Sequence, residues 1–254
     1  VFFGCENLNK YFDEIDVYFI NKKKKLMRFL FKLSRIVTFC LADLRILGCI
    51  EENDQLDKFN VIIKKGLIPN LFVARNIYFQ HKDIANHIEH PPLLKKYLQK
   101  EVLKWLDYKK INFKTTPLIF VHIRRNDYQN WPSKENPALL NYDWYKNAIE
   151  ILKNKFSNPV FIIMGDDIEY IKNFFKETQT LLISNNTPEV DLCIMSMSSS
   201  GILSASSFSW WGAYYARFNK TKNSIFIGPK FWGGIRMKKW FPPNFKVDWI
   251  TYIN

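Results

Sequence analysis

The chain has 254 residues, which is enough for one large domain or two smaller ones. Apolar residues make up 47% and charged residues 24%, a globular composition that excludes a disordered or fibrous chain. The net charge of +13 favours an anionic partner, such as a phosphate, a nucleotide sugar, a nucleic acid or an acidic membrane surface, unless it reflects lysine-rich genome composition alone.

The first part of the chain predicts mixed α and β structure. In its longest apolar stretch, Leu26 to Ile50, every window long enough to span a bilayer is interrupted by charged residues such as Lys32, Arg35, Asp43 and Arg45. A charged residue costs about 2.5–3.5 kcal/mol at the centre of a membrane-spanning helix, so no transmembrane helix is expected. The apolar residues recur at helical spacing behind Lys22–Lys25. This pattern leaves two interpretations, a core helix after a solvated charge run or a basic amphipathic helix on an anionic membrane.

The same part of the chain predicts short strands at Val17–Ile20 and Ile77–Gln80 and a helix at Pro91–Tyr108. The polar run from Lys109 to Pro117 indicates a domain boundary. We therefore predict an N-terminal domain at residues 1–114 and a C-terminal domain at residues 115–254.

Beyond Pro117, apolar runs of strand length alternate with helix-periodic segments. The predicted strands are Leu118–Ile123, Val160–Met164, Leu181–Ser184, Ile202–Leu203 and Ile225–Gly228. The predicted helices are Tyr142–Phe156, Asp166–Phe175, Pro188–Met197 and Phe208–Phe218. This alternation indicates an α/β, doubly wound domain with a buried parallel sheet. Ligands of such sheets bind outside the carboxyl ends of the strands.

The first of these strands ends in the segment H-I-R-R-N-D-Y, residues 122–128. Strand alternation places His122 and Arg124 on one face, and Arg125 follows directly. Arginine offers a planar, bidentate fork that suits a diphosphate, and Asp127 would hold one of the two guanidiniums. The alternative is a surface salt bridge without a ligand.

A hydroxyl-rich turn follows the short strand at Ile202–Leu203 and opens a helix. The first turn of a helix presents free backbone N–H groups and positive dipole, so Ser206, Ser207 and Ser209 predict a phosphate site there. The alternative is a serine N-cap before two buried tryptophans. The chain has no GxxxxGK[ST] or GxGxxG motif, which argues against an ATPase and an NAD-dependent dehydrogenase.

Two carboxylates, Asp166 and Asp167, come directly after the strand Val160–Met164. Such residues bind ribose or a base in nucleotide folds, and they also cap helices. We expect one of them in each role. No DxD pair, CxxC or HExxH motif occurs, so no metal and no other cofactor is expected. The four scattered cysteines and the absence of a signal-peptide pattern favour a reducing, cytoplasmic compartment.

The segment H-I-R-R-N-D-Y resembles the HxRRGDY motif of the α-1,2-fucosyltransferases of glycosyltransferase family 11. Residues 191–195 and 206–213, D-L-C-I-M and S-S-F-S-W-W-G-A, are similar to the family's D-x-x-x-M and S-T-[FY]-S-W-W-[GA]-A block. Residues 227–232 and 78–80 are similar to its I-x-P-x-x-W and YFQ segments. The resemblance covers the chain from about residue 77 to its end.

The resemblance implies a GT-B-like architecture of two Rossmann-like domains. Residues 1–114 would form the N-terminal, acceptor-side domain, which is incomplete here, and residues 115–254 the C-terminal domain that holds the donor. It implies an inverting, metal-independent transfer of L-fucose from GDP-β-L-fucose to a galactoside hydroxyl of a glycan acceptor. Arg124 would then bind the donor diphosphate beside His122, Arg125 and Asp127. The hydroxyls of Ser206 and Ser207 would meet the phosphates, and Asp166 or Asp167 would contact guanine or ribose.

Three departures from the family pattern stand out. Asn126 replaces a glycine, Ala205 replaces an asparagine, and the family's glycine-rich GGLGNQ turn is absent. This absence predicts that the chain starts downstream of that turn or is a divergent member. The catalytic base of an inverting transfer is often a carboxylate, and Asp127 and Glu135 are candidates. Trp131 is expected either to stack on a sugar or to pack internally.

Three other functions remain open from the sequence. A GT-B transferase could use another nucleotide sugar, and a truncated family relative could bind donor without transferring it. A basic nucleic-acid-binding protein would explain the charge, but no RNP or helix-turn-helix pattern appears, so we expect no nucleic-acid partner. Peripheral contact with the inner face of an anionic membrane stays open through Lys22–Arg45.

Overall fold

The computed structural model describes residues 8–12, 25–52, 61–75, 82–83, 91–219 and 224–254. The chain divides into two compact units, residues 1–92 and 93–254. The strands predicted at Val17–Ile20 and Ile77–Gln80, the YFQ segment and Lys22–Lys24 lie outside the described residues. Within the described residues, no helix combines the length and the apolar character needed to cross a membrane.

Among the described residues of the first unit are the helices α1 (Leu8–Tyr11) and α2 (Lys25–Asp43). The described strands are β1 (Gly48–Glu52), β2 (Val61–Lys64) and β3 (Phe72–Arg75), in the order β2-β1-β3. The central strand β1 pairs antiparallel with β2 and parallel with β3. The sequence pattern predicts none of these strands. A Rossmann-like organisation of this unit therefore remains an expectation from the family resemblance.

The second unit is an α/β domain around a sheet of six strands, all parallel, in the order β6-β5-β4-β7-β8-β9. The strands are β4 (Leu118–Ile123), β5 (Val160–Gly165), β6 (Leu181–Ile183), β7 (Ser200–Ile202), β8 (Phe226–Pro229) and β9 (Ile250–Ile253). The helices are α3 (Lys96–Tyr108), α4 (Tyr142–Lys153), α5 (Ile168–Phe174), α6 (Pro188–Met197) and α7 (Ser207–Asn219). Numbered within the domain, the strand order is 3-2-1-4-5-6, that of a Rossmann fold.

The helices cover both faces of this sheet. From β4 the chain steps outward through β5 to β6, then returns to β7 and steps the other way, so right-handed crossovers place α4 and α5 on one face and α6 and α7 on the other. Every residue of β4 is buried, as expected for a central strand covered on both sides. The predicted doubly wound α/β domain with a parallel sheet is confirmed.

Helix α3 belongs to the second compact unit. Its buried face consists of Leu98, Val102 and Leu106, and the helix packs against α6. The compact division therefore falls before α3, whereas the sequence-based boundary at 114/115 falls after it. A polar run such as Lys109–Pro117 marks the end of a helix as readily as the end of a domain. The assignment of functions to residues 1–114 and 115–254 stays a prediction.

We expect Phe120→Ala to lower the free energy of unfolding by about 3–5 kcal/mol, because it removes a large side chain from the centre of the sheet. Phe120 is fully buried on β4, and its ring lies 6.4 Å from that of Phe226 on β8. Chemical denaturation measures the change. Phe218→Ala is the matched control, since that ring is 50% exposed at the end of α7. Equal losses for the two variants would contradict this account of the core.

Candidate anion-binding site at the carboxyl ends of the strands

Three strands end side by side at one edge of the sheet. Ile123 at the end of β4 pairs with Gly165 at the end of β5, and Val121 pairs with Ile202 at the end of β7. The order of connection reverses between β4 and β7, and ligands of open α/β sheets bind in the crevice outside that point. The ends of these three strands and the segments following them hold every site residue that the sequence predicts.

Arg124, the first residue after β4, is held by two carboxylates. Its Nε lies 2.8 Å from Asp127 Oδ1 and 3.2 Å from Asp166 Oδ2, and its Nη2 lies 3.0 Å from Asp127 Oδ2. Burial lowers the pKa of Arg124, but the hydrogen bond to Asp127 and the two carboxylate charges outweigh it, so the pKa is raised. The side chain is 34% exposed. Arg124 is therefore a fully charged, oriented guanidinium that solvent can reach.

The carboxylate of Asp166 joins the end of β5 to the turn after β4. It accepts hydrogen bonds from the backbone N–H of Arg125 at 2.8 Å and of Asn126 at 3.2 Å. The Asn126 side chain donates in return to the Asp166 carbonyl at 2.7 Å. Asn126 thus contributes a side-chain bond that a glycine at this position lacks. Both oxygens of Asp166 serve the turn that carries the arginines, whereas the sequence leaves its partner open.

Arg125 points to helix α5. Its Nε lies 3.4 Å from Asp167 Oδ2, and its guanidinium carbon lies 3.6 Å from the centre of the Tyr170 ring. Asp167 caps the helix by accepting the backbone N–H of Tyr170 at 3.0 Å, which confirms the predicted N-cap. The two neighbouring arginines therefore have different surroundings, because Arg125 packs against helix α5 and Arg124 does not.

His122 is a buried, uncharged histidine inside β4. Its Nδ1 lies 2.8 Å from the hydroxyl of Ser204, which follows β7. Burial, with a smaller contribution from the charge of Arg124, lowers the pKa of His122 to about 3. The ring therefore serves as a neutral hydrogen-bonding bridge between the β4 and β7 segments.

The serine turn after β7 opens helix α7. Ser206 caps it, since its hydroxyl accepts the backbone N–H of Phe208 at 3.3 Å and its carbonyl accepts that of Trp210 at 3.0 Å. The buried hydroxyl of Ser209 donates to the carbonyls of Ser204 and Ser206. Ser207 is exposed, and its hydroxyl makes no hydrogen bond to the described part of the chain. Of these three hydroxyls, that of Ser207 is the one turned to solvent.

Tyr128 connects the turn that carries the arginines, residues 124–127 (the arginine turn), to the serine turn. Its hydroxyl donates to the carbonyl of Ala205 at 2.6 Å, and burial raises its pKa to about 12. Its ring lies 5.7 Å from the Arg124 guanidinium and 4.6 Å from the ring of Trp131. The Tyr128 side chain therefore places Arg124 and the start of α7 beside the same crevice. Trp131 packs internally between Tyr128 and Phe241, and its sugar-stacking role remains untested.

Asp191 in the first turn of α6 is a buried carboxyl in the D-x-x-x-M segment. The Ser184 hydroxyl, just after β6, donates to its Oδ1, and the Asn186 side chain donates to Ser184 at 2.9 Å. Burial raises the pKa of Asp191 to about 7. The sequence names Asp191 only as part of a motif, because nothing in the pattern reveals its burial.

The structure thus brings the predicted residues to one edge of the sheet in three connected groups. Arg124, Asp127 and Asp166 are in direct contact, Arg125 pairs with Asp167, and His122 bonds to the segment that leads into the predicted serine turn. Glu135 is fully exposed, and its own backbone N–H and the Ser133 hydroxyl lower its pKa. The role of each residue toward a ligand remains a prediction. The described residues contain no cluster of three or more His, Cys, Asp or Glu side chains that could hold a metal.

Three connecting residues are not predicted from the sequence as site residues: Ser204, Tyr128 and Tyr170. Tyr128 stands inside the H-I-R-R-N-D-Y segment, so the motif itself marks it as a candidate site residue. No sequence pattern marks Ser204 or Tyr170, since their partners are distant in the chain.

The chain belongs to glycosyl transferase family 11, whose model matches residues 68–254. The resemblance inferred from the motifs is therefore confirmed. An α-1,2-colitosyltransferase of Escherichia coli is 36% identical over 135 residues, which is 50% of this chain and 46% of that protein. The O-antigen biosynthesis glycosyltransferase WbnK of Escherichia coli is 28% identical over 130 residues, 49% of this chain and 42% of that protein. The matches thus span less than half the length of each relative.

Among solved structures, the selenomethionine form of the fucosyltransferase NodZ from Bradyrhizobium aligns with a TM-score of 0.43 and 12% identity. The alignment covers 82% of this chain and 75% of that one.

We expect Asp191→Asn to change how stability depends on pH. The carboxyl has a pKa of about 7 in the folded chain and about 3.9 in the unfolded one, so the folded state holds more protons between these values. Its contribution to stability therefore falls as pH rises from 4 to 7, by up to about 1.4 kcal/mol per pH unit. Denaturation at pH 5 and pH 8 should show the variant gaining stability relative to wild type at the higher pH. A constant difference would contradict the raised pKa.

Proposed function

We propose that the protein is a glycosyltransferase that moves L-fucose from GDP-β-L-fucose to a galactoside hydroxyl of a glycan, forming an α-1,2 linkage. The observation that carries the proposal is the position of Arg124, a charged and partly exposed guanidinium at the point where the strand order reverses. Membership of glycosyl transferase family 11 supports the reaction class, and the α-1,2-colitosyltransferase relative supports the linkage.

In the proposed reaction, the acceptor hydroxyl oxygen attacks the anomeric carbon of the donor from the face opposite the diphosphate. The bond from that carbon to the diphosphate oxygen breaks, and GDP leaves with the electron pair. The configuration at the carbon inverts, and the hydroxyl proton passes to a base. Asp127 and Glu135 remain the candidate bases. Asp127 is the one in contact with the site, through Arg124.

The charge that develops on the leaving diphosphate requires positive groups that are already in place. We propose that Arg124 supplies the main one, because Asp166 and Asp127 orient it before any ligand arrives. The start of α7 would add the backbone N–H groups and dipole of a thirteen-residue helix, with the Ser207 hydroxyl facing outward. With this arrangement the reaction would need no metal ion, and metal independence is part of the proposal.

A colitosyl nucleotide is a second candidate for the donor. The observation in its favour is the 36% identity to the α-1,2-colitosyltransferase, which exceeds the 28% identity to the other curated relative. Both donors would present a nucleoside diphosphate to Arg124. The site geometry described above therefore fits both, and the sugar itself must distinguish them.

We expect the chain to bind GDP and GDP-fucose equally well with and without EDTA, and Arg124→Ala to weaken both by at least tenfold. The reason is the loss of the charge that faces the diphosphate, which is worth about 1.5–3 kcal/mol for a charged hydrogen bond. Isothermal titration calorimetry measures this change. Arg217→Ala is the matched control, because Arg217 is an exposed arginine in the last turn of α7, far along the helix from Ser207.

Undiminished binding to Arg124→Ala would contradict the proposed diphosphate site, and loss of binding in EDTA would contradict metal independence. Transfer assays with GDP-fucose and GDP-colitose then separate the two donors. If a chain that binds GDP forms no product from either donor, the protein is a binding protein without transferase activity.

We further propose peripheral contact between α2 and the inner, anionic face of a membrane. Four apolar side chains of this helix and the turn after it are 47–69% exposed, namely Leu33, Ile36, Val37 and Leu44. Arg35 and Arg45 are exposed beside them. Exposed apolar groups together with cations are typical of helices that lie on anionic lipid.

We expect the chain to float with vesicles that contain phosphatidylglycerol and to remain in the pellet fraction with neutral phosphatidylcholine vesicles. Ile36→Asp combined with Leu44→Asp should abolish flotation, since it places charge in the apolar face. Leu103→Asp, at a 44% exposed position on α3, is the control for added charge. Equal recovery with both vesicle types, or none with either, would contradict the membrane proposal.

A further inference from the structure

A basic loop, residues 230–241, lies at the same edge of the sheet as the candidate site. It begins where β8 ends, and β8 is the second strand from β4 in the sheet. Because all six strands are parallel, the end of β8 and the end of β4 face the same side. The topology therefore places the basic loop beside the crevice, on the side away from Asp166 and Asp167.

A row of aromatic rings connects the basic loop to Arg124. The Arg124 guanidinium lies 5.7 Å from the Tyr128 ring, Tyr128 lies 4.6 Å from Trp131, and Trp131 lies 5.6 Å from Phe241. Gly233 packs so closely on Trp131 that an added Cβ would lie 2.4 Å from its ring. The basic loop is therefore packed onto the arginine turn.

The backbone of the basic loop is strained. Phe231, Trp232 and Lys238 have φ values of 70°, 54° and 54°, in the left-handed region that bulky residues rarely adopt. Surrounding contacts hold this conformation, since Trp232 is buried against Phe245 and the Gly233 N–H donates to the Phe241 carbonyl at 3.0 Å. Strain of this kind concentrates at ligand-binding sites.

The charge of the basic loop is unbalanced. Residues 230–241 include no acidic residue and four basic ones, Lys230, Arg236, Lys238 and Lys239. None of the four makes an ion pair within the described part of the chain. Arg236, Lys238 and Lys239 are exposed, next to the 38% exposed side chains of Met237 and Phe241. This surface combines free cations with exposed apolar groups.

We propose that the basic loop binds the acceptor and that the acceptor is a glycan carrying an anionic group, a carboxylate or a phosphate. This inference rests on the proposed transferase function and deepens it by naming the class of acceptor. The donor diphosphate is already matched by Arg124 and the start of α7, so the exposed cations of the basic loop match a second anion. The aromatic and apolar side chains would contact the sugar rings, as in other sites with few polar groups among apolar ones.

Three probes with the same terminal galactose test the proposal on the GDP-saturated chain by calorimetry. They are galactosyl-glucose, galactosyl-glucuronic acid and galactosyl-glucose with a phosphate on its reducing end. We expect at least one anionic probe to bind tenfold more tightly than the neutral one, with an advantage that shrinks in high salt. The probe that gains identifies the carboxylate or the phosphate as the recognised group.

The triple variant Arg236→Gln, Lys238→Gln, Lys239→Gln should remove this advantage and leave the affinity for GDP unchanged. Lys110→Gln, Lys114→Gln, Lys155→Gln is the control, with the same charge change on exposed residues at the opposite edge of the sheet. A chain that binds GDP but binds all three probes equally, or binds none, overturns the acceptor proposal. Failure to bind GDP at all would instead contradict the proposed function.

Discussion

The site depends on one short-range constraint, the hydrogen bonds that the Asp166 carboxylate accepts from the turn after β4. Two backbone N–H groups and one guanidinium converge on its two oxygens, within 2.8 to 3.2 Å. Hydrogen bonds to an ionised acceptor are stronger than neutral ones, and these link two adjacent strand ends of a rigid sheet. The direction of Arg124 is therefore set by the scaffold, before any ligand contributes.

The surrounding polar groups extend this constraint across the sheet edge. His122 reaches the β7 segment through Ser204, and Tyr128 reaches it through the Ala205 carbonyl. The first link is buried and the second is partly buried, where an unmade hydrogen bond would be expensive, so they favour one arrangement of the two turns. The arginine turn, the serine turn and the end of β5 thus form one connected unit.

The sequence predicts the second unit well because its elements are long or clearly punctuated. Pro188–Met197 is predicted to the residue, since a proline marks its first turn and the apolar run ends at a serine-rich segment. The strands β1 to β3 are missed, because each has only four or five residues and carries no clear alternation of apolar and polar residues. β9 is missed for a similar reason, with one buried residue among four.

The candidate site, too, is predicted in part and missed in part. Residue types and strand ends predict which side chains gather, and they do gather. They do not predict that Asp166 would bind backbone N–H groups, or that Arg125 would turn onto Tyr170 while its neighbour stays accessible. Such choices depend on distances between segments about 40 residues apart, such as Arg125 and Asp166, which no local pattern records.

The bidentate pairing of Arg124 with Asp127 has a consequence for any anion that reaches this guanidinium. A carboxylate already occupies two of its five N–H donors, so the newcomer either binds the remaining donors or displaces that carboxylate. Where the newcomer displaces the carboxylate, its net free energy of association is the difference between two ion pairs. Such an exchange favours ligands that exceed a carboxylate in charge, so a doubly charged group displaces Asp127 more readily than a singly charged one.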